Sequence, residues 1–138
     1  MNTLTLVFNK ARNHVLMFYD KKIEAYNYVG GKVGYMEDVM EASYRKLFEE
    51  TGIDKNLIDL KFVRSESVSA TTKHSCGTAW YMLVTAGILK ESDIMFKGNK
   101  DSLVWIDIKS IETLINRSVG NGSCYTYLLE ALDVLESD

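Results

Sequence analysis

The stretch from Gly30 to Ile53 constrains this chain more than any other, because both ends of a helix are written into it. Asp38, followed three residues later by Glu41, makes a capping box, and Gly52 stands where a left-handed C-terminal cap belongs. Together they predict a helix over Val39–Thr51. At about 100° per residue, Met40, Tyr44, Leu47 and Phe48 gather into one apolar stripe, while Arg45, Lys46, Glu49 and Glu50 fall away from it. One side of the helix therefore packs on a core. The other presents two carboxylates and two cations just downstream of a glycine pair, Gly30-Gly31.

A helix with a single apolar stripe needs a partner layer. Runs rich in β-branched and aromatic residues or alternating in polarity supply one, at Leu4–Asn9, Val15–Tyr19, Ala25–Val29, Leu60–Val68, Thr78–Thr85 and Ser102–Ile108. Two further helical patterns follow, a short one at Ile111–Asn116 and one at Tyr125–Leu135. Strands and helices mix without regular alternation, which predicts an α/β fold with a mixed sheet covered by helices rather than a doubly wound parallel sheet. The chain has 138 residues, 46% hydrophobic, and no proline. With no proline-rich linker and no repeat, a single domain over residues 1–138 is expected.

Charge and composition narrow the partners. A net charge of −3 offers no global attraction to a polyanion, and no basic stretch interleaved with aromatics appears, so long nucleic acid is not an expected partner. The N-terminal residues lack a secretory pattern, and the longest apolar-leaning run, Ala79–Leu89, contains Thr85 and Gly87, so neither secretion nor a membrane span is expected. Cys76 and Cys124 lack a CxxC spacing, and a cytoplasmic monomer or homodimer is expected. His14 and His74 are solitary and do not suggest zinc.

The chemistry concentrates on the first helix. Adjacent carboxylates suit a hard divalent cation, since Mg²⁺ takes oxygen ligands, keeps waters, and is typically held by one or two carboxylates plus substrate phosphates. Glu49 and Glu50 could supply them. Gly30-Gly31 lets backbone approach a ligand closely, and Arg45, one turn before Glu49, can orient that carboxylate. Tyr26, Tyr28, Tyr35, Trp80, Tyr81 and Phe96 could stack a base, although core packing is the commoner fate of such residues.

Gly31, five residues, Glu37, seven residues, then Arg45-Lys46-Leu47-Phe48-Glu49-Glu50-Thr51-Gly52-Ile53 resembles the Nudix box, G-x5-E-x7-R-E-U-x-E-E-x-G-U with U aliphatic. Eight of its nine specified positions are met. The resemblance implies an α/β/α sandwich with a mixed sheet, and attack of water on a phosphorus of a nucleoside diphosphate linked to another group. It further implies Mg²⁺, with Mn²⁺ as a substitute, bound through Glu49, Glu50 and the Gly30 carbonyl, with Glu37 as an outer contact and Arg45 as organiser. Gly31 and Lys46 would contact substrate. Asn121, in the Gly120-Asn121-Gly122 turn, matches a base-reading position of some members, although turn chemistry alone explains it.

Lys46 departs from the family pattern, which has glutamate after the arginine. A lysine there either stays among the carboxylates, where its charge opposes a divalent ion, or extends its arm into water. With phosphates present it could pair with them instead. A base must then come from elsewhere, and Asp101 is the first candidate, ahead of Glu91 and Glu66. The expected substrate is a small nucleotide, foremost a nucleoside triphosphate cleaved to monophosphate and pyrophosphate. The alternative is a catalytically impaired domain that binds a nucleotide or metabolite as a sensor or partner module.

Overall fold

The computed structural model describes residues 2–20, 25–72, 75–89, 103–111 and 122–137. Within them, six strands form one mixed sheet: β1 Asn2–Phe8, β2 His14–Asp20, β3 Ala25–Lys32, β4 Ile58–Thr72, β5 Ser75–Leu89 and β6 Leu103–Asp107. The order across the sheet is β4-β5-β1-β3-β2-β6, and only the β1–β5 pair is parallel. Helix α1 spans Val39–Thr51, a short 3-10 turn follows at Lys55–Leu57, and helix α2 spans Gly122–Glu136. Among the described residues no helix is long and apolar enough to cross a membrane.

Strand alternation divides the core in two. Leu6, Phe8, Val15, Met17 and Tyr28 pack with Tyr127, Leu128, Ala131 and Leu135 of α2. Their neighbours Val7, Leu16 and Val29 point the other way, onto Leu47 of α1 with Ile53, Ile58 and Leu60. The sheet is thus a central layer buried on both faces, an α/β/α sandwich. Arg64 of β4 pairs with Glu130 of α2 at 2.9 Å, and on the opposite face the Leu60 N–H donates to the Tyr44 hydroxyl of α1 at 2.9 Å.

Helix α1 begins and ends where its caps are written. The Asp38 side chain accepts from the Glu41 N–H, and Gly52 is left-handed at φ 79°, its N–H donating to the Phe48 carbonyl at 2.8 Å. The expected apolar stripe narrows, however. Met40, Tyr44 and Leu47 face the core, but Phe48 is 39% exposed, because it lies at the margin of the arc the sheet can cover.

Other boundaries also move. Strand β3 runs on through Gly30-Gly31 to Lys32, where Thr3 pairs with Gly31 and Leu4 with Gly30. The two glycines are therefore strand residues, not a loop after Val29. Strands β4 and β5 are longer than their hydrophobic runs, because they pair with each other along their length from Ile58–Leu89 to Thr72–Ser75. Residues 108–111 are already helical, ahead of the expected start at Ile111, and the rest of the range to Asn116 lies outside the described residues. Helix α2 starts at Gly122, three residues before Tyr125.

A partner change in β3 opens the sheet. Strands β1 and β2 pair at Phe8–Val15, then β3 pairs with β2 through Tyr28 and with β1 from Val29 onward. Where the partner changes, a cavity of about 470 Å³ lies among Thr3, Phe18, Tyr28, Gly30, Gly31 and Leu103, with Glu50 of α1 also on its lining. Gly30 permits this close pairing, since a Cβ there would collide with the Thr3 carbonyl oxygen. Gly30→Ala should therefore lose about 1–3 kcal/mol in urea denaturation. A midpoint within error of the parent's would show that β1 and β3 are not packed this tightly.

Candidate functional site

The loop leading into α1 is closed on itself before any ligand arrives. The Glu37 N–H donates to the Gly34 carbonyl at 3.1 Å, and the Gly34 N–H returns to Glu37 Oε1 at 2.8 Å. Glu37 then receives Arg45 as a two-pronged fork, Nε to Oε2 at 2.7 Å and Nη2 to Oε1 at 2.8 Å. The same guanidinium reaches Glu49 Oε1 with Nη1 at 2.9 Å and the Lys32 carbonyl with Nη2 at 3.2 Å. One side chain thus ties the end of β3, the entry loop and the C-terminal half of α1 together. Bidentate guanidinium–carboxylate pairs fix geometry as well as charge.

The electrostatic consequence follows from these contacts. The Arg45 hydrogen bonds, helped by the Gly34 N–H, hold the Glu37 carboxyl down from its ordinary 4.5 to about 2. Arg45 and then Lys46 lower the Glu49 carboxyl. The two carboxylates in turn push the Arg45 guanidinium further up.

Lys46 does not extend into water. Its side chain is 22% exposed, and its Nζ lies 3.3 Å from Glu49 Oε2. The aliphatic arm runs over Gly31, where Cε and Cδ occupy the space a Cβ at residue 31 would fill. Glu49 therefore has one oxygen on Arg45 and the other on Lys46. Glu50 is exposed, borders the cavity beside Gly30 and Gly31, and makes no hydrogen bond or ion pair among the described residues.

Among the described residues, this donor set does not by itself make a cage for a divalent cation. Among the described residues no group of three or more His, Cys, Asp or Glu side chains is placed to hold a metal ion. Glu37 is committed to Arg45 and Gly34, and Glu49 to two cationic side chains. Glu50 and the backbone of Gly30 are what the cavity wall offers from the expected ligand set.

The sequence-predicted residues thus separate into three groups. Glu37, Arg45, Lys46 and Glu49 form one connected ionic cluster. Gly30, Gly31 and Glu50 line the cavity beside it, and the Lys46 arm over Gly31 joins the two groups. Asp101, Glu91 and Asn121, with Phe96 and His74, lie outside the described residues, as do the side chains of Glu66, Trp80, Tyr81, Cys76 and Cys124. Of the tyrosines near the glycine pair, Tyr28 is buried in the core beneath the cavity, Tyr26 packs against Tyr19 with the rings tilted and their centroids 4.9 Å apart, and Tyr35 is 98% exposed.

Thr3, Phe18 and Leu103 also line the cavity, and nothing in the sequence singled them out. Alternation in β1 turns Thr3 toward the α1 side, but only the tertiary fold brings it to Gly31 and Phe18. Among the described residues its buried hydroxyl has no hydrogen-bond partner, a cost that a ligand group or an ordered water reaching it would relieve.

A Nudix domain model matches residues 2–124. Among solved structures of similar fold, the Caenorhabditis elegans Ap4A hydrolase superposes with a TM-score of 0.76 at 15% identity, over 97% of this chain and 96% of that one. The Escherichia coli dihydroneopterin triphosphate pyrophosphohydrolase gives 0.74 at 19% identity, over 92% and 90%. The Nudix domain of Shewanella oneidensis NrtR, complexed with ADP-ribose, gives 0.71 at 10%, over 97% and 86%. A search of curated protein sequences finds no match.

The lowered Glu37 carboxyl makes the cluster's stability acid-sensitive. Because the folded carboxyl keeps its charge to lower pH than the unfolded one, its contribution is complete above about pH 4.5 and lost as pH falls toward 2. In thermal melts across that window, Glu37→Gln should show a shallower fall of Tm with acid than the parent. Parallel curves would mean that Glu37 gains nothing from Arg45 on folding.

Proposed function

We propose that this chain, which belongs to the Nudix family, hydrolyses a phosphoanhydride bond in a small nucleotide in which a nucleoside diphosphate is linked to another group. The first substrate class to test is a nucleoside triphosphate, giving a monophosphate and pyrophosphate. The observation that carries the reading is the Arg45-clamped helix face beside a cavity bordered by Gly30, Gly31 and Glu50.

Each residue has a physical task in this reaction. Gly30 offers its backbone at the cavity wall, and Gly31 leaves room for the Lys46 arm to cross the strand. Lys46 supplies a positive point charge at the cavity edge for phosphate oxygens. Glu37 and Arg45 fix the start and end of α1, so Glu49 and Glu50 keep their positions as charge accumulates. Water adds to phosphorus as the bond to the bridging oxygen breaks. The water proton passes to a carboxylate, for which Asp101 is the first candidate, and the electron pair leaves with the pyrophosphate.

Nudix hydrolases generally use divalent cations. Since the carboxylates of the described residues do not make a protein-only cage, the ion would enter with the substrate, as a Mg²⁺–nucleotide complex with Mn²⁺ as a substitute. With the phosphates, such an ion would supply charge neutralisation and polarisation of the phosphoryl oxygen. Among the described residues, Glu50 and the Gly30 backbone border the cavity and would receive that complex.

A second reading, a nucleotide-binding domain without turnover, draws on Lys46 inside the box and on a fold like that of the NrtR domain complexed with ADP-ribose. The two separate in one assay. Phosphate and pyrophosphate release is measured from a nucleotide panel with Mg²⁺ or Mn²⁺, beside Glu50→Gln and Asp101→Asn. The hydrolase reading expects metal-dependent turnover that falls by about 10²-fold or more in both variants. A ligand-dependent rise in Tm without release from any nucleotide would overturn it in favour of binding.

A further inference from the structure

We infer that Lys46 is the resident cation of this box, and that a divalent ion engages Glu49 only once phosphates have drawn the lysine ammonium away. The inference deepens the hydrolase reading and rests on it for the identity of the phosphate ligand. Its own basis is the disagreement between the donor set and a protein-held metal.

Three observations carry it. Glu49 Oε2, the oxygen not taken by Arg45, is occupied by Lys46 Nζ at 3.3 Å. A divalent ion binding that oxygen at about 2.1 Å would lie no more than about 5.5 Å from the ammonium if Lys46 stayed in place. Like charges this close repel, with water screening part of the repulsion because Glu49 is 46% exposed.

Nor is the lysine free to retreat at no cost. Its side chain is mostly covered, its arm fills the space left by the missing Cβ of Gly31, and its charge balances a carboxylate whose other oxygen already serves Arg45. Gly31 and Glu49 together form a seat for the ammonium. Phosphate oxygens entering beside Gly31 offer Lys46 a more highly charged anion within reach of the same arm. Moving to them frees Glu49 Oε2 at the moment a metal–phosphate complex arrives.

Metal and phosphate binding are therefore positively coupled through one side chain, and by linkage each raises the other's affinity by the same factor. A glutamate at this position would provide no such latch, since it would add a carboxylate to the site rather than a competing cation. Lys46 thus acts as a positioning residue that makes metal occupancy conditional on substrate.

The test reads Mn²⁺ retained by the full chain on ultrafiltration, with and without imidodiphosphate, a non-hydrolysable diphosphate. The parent is compared with Lys46→Met, Gly31→Ala and the double variant Lys46→Met/Glu49→Gln. Without imidodiphosphate, Lys46→Met should hold Mn²⁺ about tenfold more tightly than the parent. Gly31→Ala, which unseats the arm while leaving the charge, should fall between them, and the gain should vanish in the double variant. Imidodiphosphate should raise Mn²⁺ retention by the parent more than by Lys46→Met.

Equal Mn²⁺ affinity in the parent and Lys46→Met, or a gain that survives Glu49→Gln, would overturn the inference. No turnover is needed for either result. A parent that holds Mn²⁺ only with imidodiphosphate yet hydrolyses no nucleotide keeps the latch and defeats the hydrolase reading. One that hydrolyses nucleotides while holding Mn²⁺ unaided does the reverse.

Discussion

The guanidinium of Arg45 is the interaction on which the site depends. It spans Lys32 at the end of β3, Glu37 in the entry loop and Glu49 near the end of α1, and these elements have no other shared ionic partner among the described residues. A lysine could not replace it, because the fork on Glu37 and the reach to two further oxygens need the planar, multi-donor group. With Arg45 in place, two carboxylates sit close together without repelling each other. One of them, Glu37, then holds the helix entry through the Gly34 N–H.

The sheet sets where this cluster faces. Strand β3 changes partner after Tyr28 and the cavity lies beside Gly30-Gly31, while the side-chain space of Gly30 is closed by the Thr3 carbonyl and that of Gly31 by the Lys46 arm. The core stripe of α1 fixes the rotation of the helix, with Leu47 buried against Val29 and the sheet, so Lys46, Glu49 and Glu50 cannot face anywhere else. The same packing that stabilises the helix therefore turns Glu50 to the cavity wall and Lys46 and Glu49 to the ionic cluster beside it. Function follows from a helix whose two faces are both spoken for.

Much of this was legible in the sequence because it is local. Asp38, Glu41 and Gly52 fix α1 through contacts within one or two turns, and Arg45 meets Glu49 at the spacing one helical turn requires. The Arg45–Glu37 fork joins residues eight apart across a loop, so helical spacing could not find it and only the resemblance to a known box singled out Glu37. For Lys46, the sequence left two outcomes open. Packing over Gly31 decides between them, and that contact joins residues fifteen positions apart. Thr3, Phe18 and Leu103 reach the cavity from three different strands, a placement that depends on strand order and register. Phe48 shows the limit of helical periodicity itself, since its angle alone does not say how wide an arc the sheet will cover.

The claim that Arg45 is locked by Glu37 and Glu49 is open to direct observation by NMR of the arginine Nε–H groups in ¹⁵N-labelled protein. The account predicts a resolved Arg45 Nε–H signal that exchanges slowly with water at neutral pH and is lost in Glu37→Gln. A signal that exchanges as fast as those of exposed arginines, or that is unchanged in Glu37→Gln, would contradict it.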